Sequence, residues 1–270
     1  MTSAFAVCFW AMMVLYALAV GGLVAEQLLA ARRLGRAGAV LVIAGFALHT
    51  ALLAWRWFAT GHVPTIGNFE NALFGGWFIV AMASWAAWND RFPVVAAACL
   101  PLALLVLGGA ALSDASPQPF VASLNSFWLY IHIFFAWLAH GGYAVACGAG
   151  VVYLLKTARG REPGRESLSR LDELMFRATA FGFVMDGMMI AAGAIWAKDL
   201  WGSYWSWDPV ETWSLLSWLI YGLALHLRTT LGWRGRPLAW VLVGAVVTVI
   251  VSFWGVNLVM SGSAHVFNVG

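Results

Sequence analysis

An all-α polytopic membrane protein with eight transmembrane helices is the fold the sequence predicts, and three observations predict it. Hydrophobic residues make up 62% of the chain and charged residues 10%, with a mean hydropathy of +0.82, far beyond what a water-soluble core requires. The apolar residues gather into eight long runs separated by short polar segments. The lysines and arginines fall almost entirely in alternate segments, as expected of a chain that crosses a bilayer back and forth. Membrane bundles with short loops are built as one unit, so the 270 residues are expected to form a single domain, 1–270.

The first run, residues 5–28, is long enough at about 1.5 Å per residue to cross a hydrocarbon core of about 30 Å. It lacks a basic n-region and an A-x-A-type exit, which predicts a retained helix and not a cleaved signal peptide. The later runs are 38–58, 71–88, 93–112, 128–155, 176–196, 210–227 and 238–260, the fifth long enough to tilt or to extend beyond the bilayer. Residues 157–173 form the one sizeable charged stretch, where leucines near 168–174 predict a short amphipathic helix on the inner leaflet between helices five and six. Arg32, Arg33 and Arg36, Arg91, the group Lys156, Arg159, Arg161, Arg165, Arg170 and Arg177, and then Arg228, Arg234 and Arg236 all fall on one side, leaving Arg56 and Lys198 near the other. The positive-inside rule makes the first set cytoplasmic and both termini periplasmic. The net charge of +3 is thus a topology signal and implies no nucleic-acid partner.

No P-loop, G-x-G-x-x-G or G-x-S-x-G pattern occurs in a usable context. Cys8, Cys99 and Cys147 stand alone inside apolar runs, as small packing residues do. The scattered glycines suit close helix packing in lipid.

Between the sixth and seventh runs lies WGSYWSWDPVETWSLLSW, residues 201–218, with five of the 17 tryptophans. Trp201, Tyr204, Trp205, Trp207 and Trp213 make this ledge a platform for something flat and apolar, although indole rings also collect at membrane interfaces as plain anchors. Asp208, Pro209 and Glu211 match a helix start: N-cap, first-position proline and the closing acid of a D-x-x-E capping box.

The predicted topology places the histidines. His132 sits about one turn into the fifth helix from its outer end and His265 in the tail after the eighth, so both converge on the side of the ledge. His49 lies inside the second helix and His226 near the inner end of the seventh, and ionisable groups inside a bilayer suggest function by default. Neutral imidazoles facing each other across a planar aromatic ligand suggest haem, each supplying an axial nitrogen to iron, and the ledge offers far more aromatic surface than a zinc ion uses. A packing role stays open for each histidine and is the expectation for His62 and His140. Asp186, in the middle of the sixth helix, is open to pairing with Arg56 or to being protonated.

The stretch WGSYWSWDPVETW resembles the tryptophan-rich WWD motif of the cytochrome c assembly family, in particular the CcsA/ResC branch of the type II cytochrome c maturation system. The resemblance extends to residues 49–57 followed by Pro64, Asn68 and Glu70, which are similar to the family's second segment, and to SFWLYIHI (126–133), which looks like its outer histidine at a helix start. LIYGLALHLRTTLGWRGR (219–236) is similar to the family's membrane histidine and basic loop, and FWGVNLVMSGSAHVF (253–267) to its last helix and second outer histidine.

The resemblance implies handling of haem b as transported ligand and substrate. His49 and His226 would hold it in the membrane, and His132 and His265 would ligate it on the outer ledge, with Pro64, Asn68 and Glu70 in support. There the thiols of an apocytochrome c C-x-x-C-H motif would add to the haem vinyl groups. The implied partners are a ResB/CcsB-like membrane subunit that completes the synthase (the haem lyase), a thioredoxin-like thiol reductant and membrane lipid, with no nucleic acid. The implied location is the bacterial cytoplasmic (inner) membrane, or the thylakoid membrane of a plastid. A bis-His electron-transfer subunit and a haem-free outer-leaflet transferase using Asp208 and Glu211 as acid/base or metal carboxylates remain the alternatives.

Overall fold

The computed structural model describes residues 3–29, 31–88, 93–117, 125–158 and 165–252. Eight α-helices carry the regular structure of these residues: α1 (Ser3–Leu29), α2 (Arg32–Thr60), α3 (Gly67–Trp88), α4 (Pro93–Leu112), α5 (Phe127–Ala158), α6 (Arg165–Trp201), α7 (Pro209–Thr229) and α8 (Arg236–Ile250). Each predicted run therefore contains a helix, the eighth (238–260) being described only as far as residue 252. Five of them, α1, α2, α4, α5 and α6, are long and apolar enough to cross a membrane. The expectation of eight crossing helices is thus met by five on length and composition. Among the others, α7 carries Glu211, His226 and Arg228 along its 21 residues, and α8 is described over 15.

The chain forms two compact units, 1–120 and 121–270. In the first, α1 packs on α2 and α4, and α3 on α2 and α4, closing a four-helix ring. The sequence of α1 buries Phe5, Phe9, Met12, Tyr16, Ala19 and Leu23, a stripe stepping by three and four residues that keeps one face on its neighbours. The facing stripe of α2 is Gly38, Val42, Gly45, His49, Leu52 and Arg56. A Cβ on Gly38 would sit 2.9 Å from the Leu23 amide nitrogen and 3.0 Å from the Ala19 carbonyl, so the two backbones touch where the side chain is missing. In lipid, where burial of apolar surface no longer drives association, such close contact is what holds helices together.

In the second unit, α5 packs on α6 and α8, and α7 on α6 and α8. The α5–α6 contact again rests on small residues: a Cβ on Gly142 would lie 3.1 Å from the Ala178 carbonyl and 3.2 Å from the Gly182 Cα. Tyr143 and Tyr221 stack beside it, centroids 3.5 Å apart and planes 3° from parallel. The Tyr143 hydroxyl donates to Asp186 Oδ2 at 2.9 Å. Asp186 is therefore held by a tyrosine of its own unit. Arg56, which the sequence left open as its partner, is bonded within the first unit to Glu70 at 2.6 Å.

The short inner-leaflet helix expected near 168–174 is not a separate element. Those residues are the first turns of α6, which runs unbroken for 37 residues, about 55 Å at 1.5 Å per residue. The reason is polar. Asp172, buried on this segment, accepts from the Gly235 amide at 2.7 Å and pairs with Arg228 at 2.8 Å, tying the start of α6 to the α7–α8 connection.

Candidate functional site

The tryptophan ledge begins where α6 stops. Gly202 takes a left-handed conformation, φ 81°, that releases the chain from the helix. Lys198 Nζ donates to the Gly202 carbonyl at 2.7 Å and lies 5.7 Å from the centre of the Tyr204 ring. Trp207 is the one non-glycine residue among those described with a positive φ, 60°. This sparsely populated conformation persists only where surrounding structure imposes it. What imposes it is the start of α7. Glu211 Oε2 accepts from the amides of Ser206, at 2.8 Å, and Asp208, at 3.2 Å, while Asp208 Oδ1 accepts from the Val210 amide at 2.8 Å. The predicted capping box is present with Pro209 in the first turn, so each carboxylate accepts from backbone amides at the start of the helix. The consequence is an aromatic shelf: Trp207 is 70% and Tyr204 60% exposed, Trp205 stands edge-on to Trp207 at 5.8 Å, Trp201 packs on Trp196 at 5.3 Å, and Trp213 is half-buried one turn into α7.

Replacing Asp208 with Ala is expected to cost about 1 kcal/mol and to loosen residues 202–208. Chymotrypsin should then cut the purified protein faster at Tyr204, Trp205 or Trp207. Unchanged cleavage and an unchanged thermal midpoint would mean that the box does not hold the shelf.

His132 lies in the second turn of α5, half-buried. Its Nδ1 is 2.9 Å from the Met189 carbonyl of α6. A carbonyl only accepts, so Nδ1 carries the proton and, in the neutral ring, the lone pair is on Nε2, the arrangement of a metal-ligating imidazole. The ring rests over Gly193, where a Cβ would meet Nδ1 at 2.6 Å and Cε1 at 3.0 Å. From Gly193 to Trp201 is about 12 Å along the helix axis. The second unit therefore brings His132 to the end of α6 that carries the shelf. His265 and the segment 253–267 lie outside the described residues.

The remaining expected site residues are placed as follows. His49, fully buried in α2, has both ring nitrogens engaged: Nδ1 is 3.1 Å from the Tyr16 hydroxyl and Nε2 donates to the Leu73 carbonyl at 2.9 Å. His226 is exposed on the last turn of α7, 3.3 Å from the Thr230 hydroxyl. Pro64 is buried and Asn68 exposed. Glu70 is buried, bonded to Arg56 and to the Ile66 amide at 3.0 Å. His62 bonds the Val63 carbonyl at 2.9 Å and His140 stands edge-on to Trp137 at 5.2 Å, the packing roles expected of them. Sequence reasoning missed Tyr16, Leu73, Met189 and Gly193, which act on the histidines through a ring edge, a carbonyl or a missing Cβ. Among these, Tyr16 carries a visible signal, a hydroxyl on an otherwise apolar buried stripe.

The family model described as cytochrome C assembly protein matches residues 3–263. A cytochrome c biogenesis protein CcsA of Synechococcus sp. (strain RCC307) is 34% identical over 255 residues, covering 83% of this chain and 82% of that one. A CcsA of Guillardia theta is 28% identical over 239 residues, covering 79% of each. Among solved structures, a cytochrome c heme lyase CcmF superposes with a TM-score of 0.72 at 19% identity, over 92% of this chain and 46% of that one, so this chain spans less than half its length.

Proposed function

The chain belongs to the cytochrome c assembly protein family, and on that premise we propose that it presents haem for covalent attachment to apocytochrome c on the outer face of the membrane, as one subunit of a cytochrome c synthase. The observation that supports the reading is the bond of His132 Nδ1 to the Met189 carbonyl, which leaves the lone pair of the neutral ring on Nε2, the nitrogen that would bind iron. His265 is the second axial histidine in this reading. The exposed rings of Tyr204 and Trp207, with Trp201, Trp205 and Trp213, offer the flat apolar surface a macrocycle needs. Asp208, Pro209 and Glu211 keep that surface in place through the capping box.

Haem contributes two vinyl groups, and each cysteine S–H of the apocytochrome C-x-x-C-H motif adds across one of them to give a thioether. The work of this chain is to position, to shield and to exclude side reactions, while the bond-forming chemistry belongs to the porphyrin and the thiols. His49 and His226 serve in this reading as the pair that holds haem within the membrane, and Pro64, Asn68 and Glu70 support the entry to the outer face. Ligation by His49 requires that the bond to Tyr16 or that to Leu73 opens. A ResB/CcsB-like membrane subunit and a thioredoxin-like reductant complete the system, in a bacterial inner membrane or a thylakoid membrane, with the whole chain acting as one transmembrane assembly domain. One observation counts against the transferase alternative: Glu211 accepts from two backbone amides and Asp208 from a third, which commits both to the start of α7.

Absorption spectra of the purified protein, oxidised and dithionite-reduced, test the reading. Wild type is expected to carry b-type haem with a sharp reduced α band. His132→Ala and His265→Ala should each weaken that band, with recovery on adding imidazole. A wild type without haem even when co-expressed with the ResB/CcsB-like subunit would reject the ligand assignment. With that partner present, His132→Ala should also abolish thioether formation on a C-x-x-C-H peptide substrate.

A further inference from the structure

A ligand histidine works only if its ring is held and the right nitrogen bears the lone pair, and for His132 a backbone carbonyl and a glycine contribute to both. The His132 ring lies against α6, its Nδ1 2.9 Å from the Met189 carbonyl. The space it occupies exists because residue 193, one turn further along, has no Cβ. An added methyl would stand 2.6 Å from Nδ1, 3.0 Å from Cε1 and 3.6 Å from Cγ, with the first distance shorter than real Cβ contacts allow.

We propose that Gly193, with the Met189 carbonyl, is the positioning element of the haem-binding histidine: the glycine admits the ring to α6 and the carbonyl fixes Nδ1–H, so that Nε2 is the nitrogen offered to iron. The proposal rests on the reading of His132 as a haem ligand. It adds a specific dependence of ligation on a residue that touches neither haem nor apocytochrome. A hydrogen bond of this kind also raises the basicity of the ligating nitrogen, and its loss typically costs 10–100-fold in metal affinity.

Alanine is a better helix former than glycine, so Gly193→Ala does not weaken α6 itself. What it does is push the ring off the Met189 carbonyl. The control is Gly244→Ala, in α8 of the same unit, where an added Cβ meets nothing within 4 Å.

The test titrates haemin into detergent-purified full-length wild type, Gly193→Ala, Gly244→Ala and His132→Ala, with and without imidazole, and reads the 15N shifts of His132 in the haem-free proteins. The expected result is a ~10–100-fold weaker haemin affinity in Gly193→Ala, restored by imidazole, with Gly244→Ala like wild type. In the haem-free proteins, wild type should show a protonated Nδ1 and an unprotonated Nε2, and Gly193→Ala should lose that pattern. Haemin binding by Gly193→Ala equal to wild type, a loss that imidazole does not restore, or 15N shifts identical in the two proteins would overturn the proposal. If His132→Ala binds haemin as wild type does, the ligand reading itself fails, and the 15N shifts still decide whether Gly193 sets the ring.

Discussion

Arg56→Ala is expected to destabilise the protein by about 3–5 kcal/mol, the usual cost of removing one partner from a buried ion pair. Arg56 donates from Nε to Glu70 Oε1 at 2.6 Å, and its terminal nitrogens reach the carbonyls of Ala115 at 2.9 Å and Ser116 at 3.2 Å. The two side chains are 8% and 1% exposed. Truncating the arginine strands a buried carboxylate and releases the turn after α4. The reverse substitution, Glu70→Ala, strands the guanidinium but leaves its two carbonyl partners, so it should cost less. The double variant Arg56→Met/Glu70→Leu should recover most of the loss, since well-packed apolar residues replace buried pairs at little cost. Thermal unfolding in detergent measures all three. An Arg56→Ala protein as stable as wild type would mean that the pair is hydrated and contributes little.

Gly182→Leu is the second large effect, expected at about 3 kcal/mol of overpacking together with loss of haem binding. A Cβ at residue 182 would already meet the Tyr143 ring at 2.6 Å and the Ala139 carbonyl at 3.2 Å. A leucine has no course but to part α5 from α6 or to displace Tyr143 from Asp186. Parting the helices also lifts His132 from Met189 and Gly193, so stability and ligation should fall together. Gly108→Leu in α4, where nothing lies within 4 Å, is the matched control. A stable Gly182→Leu protein that keeps its haem spectrum would show that α5 and α6 tolerate separation and that His132 is held by something else.

The two substitutions also separate what the chain announces from what it conceals. Arg56 and Glu70 both stand out in the sequence as rare charges near helix ends, yet the only partner the sequence suggested for Arg56 was Asp186. Only the packing of α2 against α3 joins Arg56 to Glu70, and only the stack of Tyr143 on Tyr221 leaves Asp186 to a tyrosine. The amphipathic stretch near 168–174 failed for a related reason: its leucines have the right period for lying on a leaflet, but Asp172 finds Arg228 and Gly235, which are distant in sequence.

By itself, the sequence determined what depends on local periodicity and chemistry. The apolar runs specify eight helices, because a backbone in lipid must satisfy its own hydrogen bonds, and Asp208, Pro209 and Glu211 specify the start of α7, because a capping box is made within four residues. Tertiary structure alone decided the partners of the histidine ring nitrogens: His49 lies between the Tyr16 hydroxyl and the Leu73 carbonyl, and His132 donates from Nδ1 to the Met189 carbonyl over Gly193. The reason is physical. A tautomer is set by the partner across the ring, and a carbonyl oxygen or an absent Cβ on a neighbouring helix leaves no mark in the residues around the histidine.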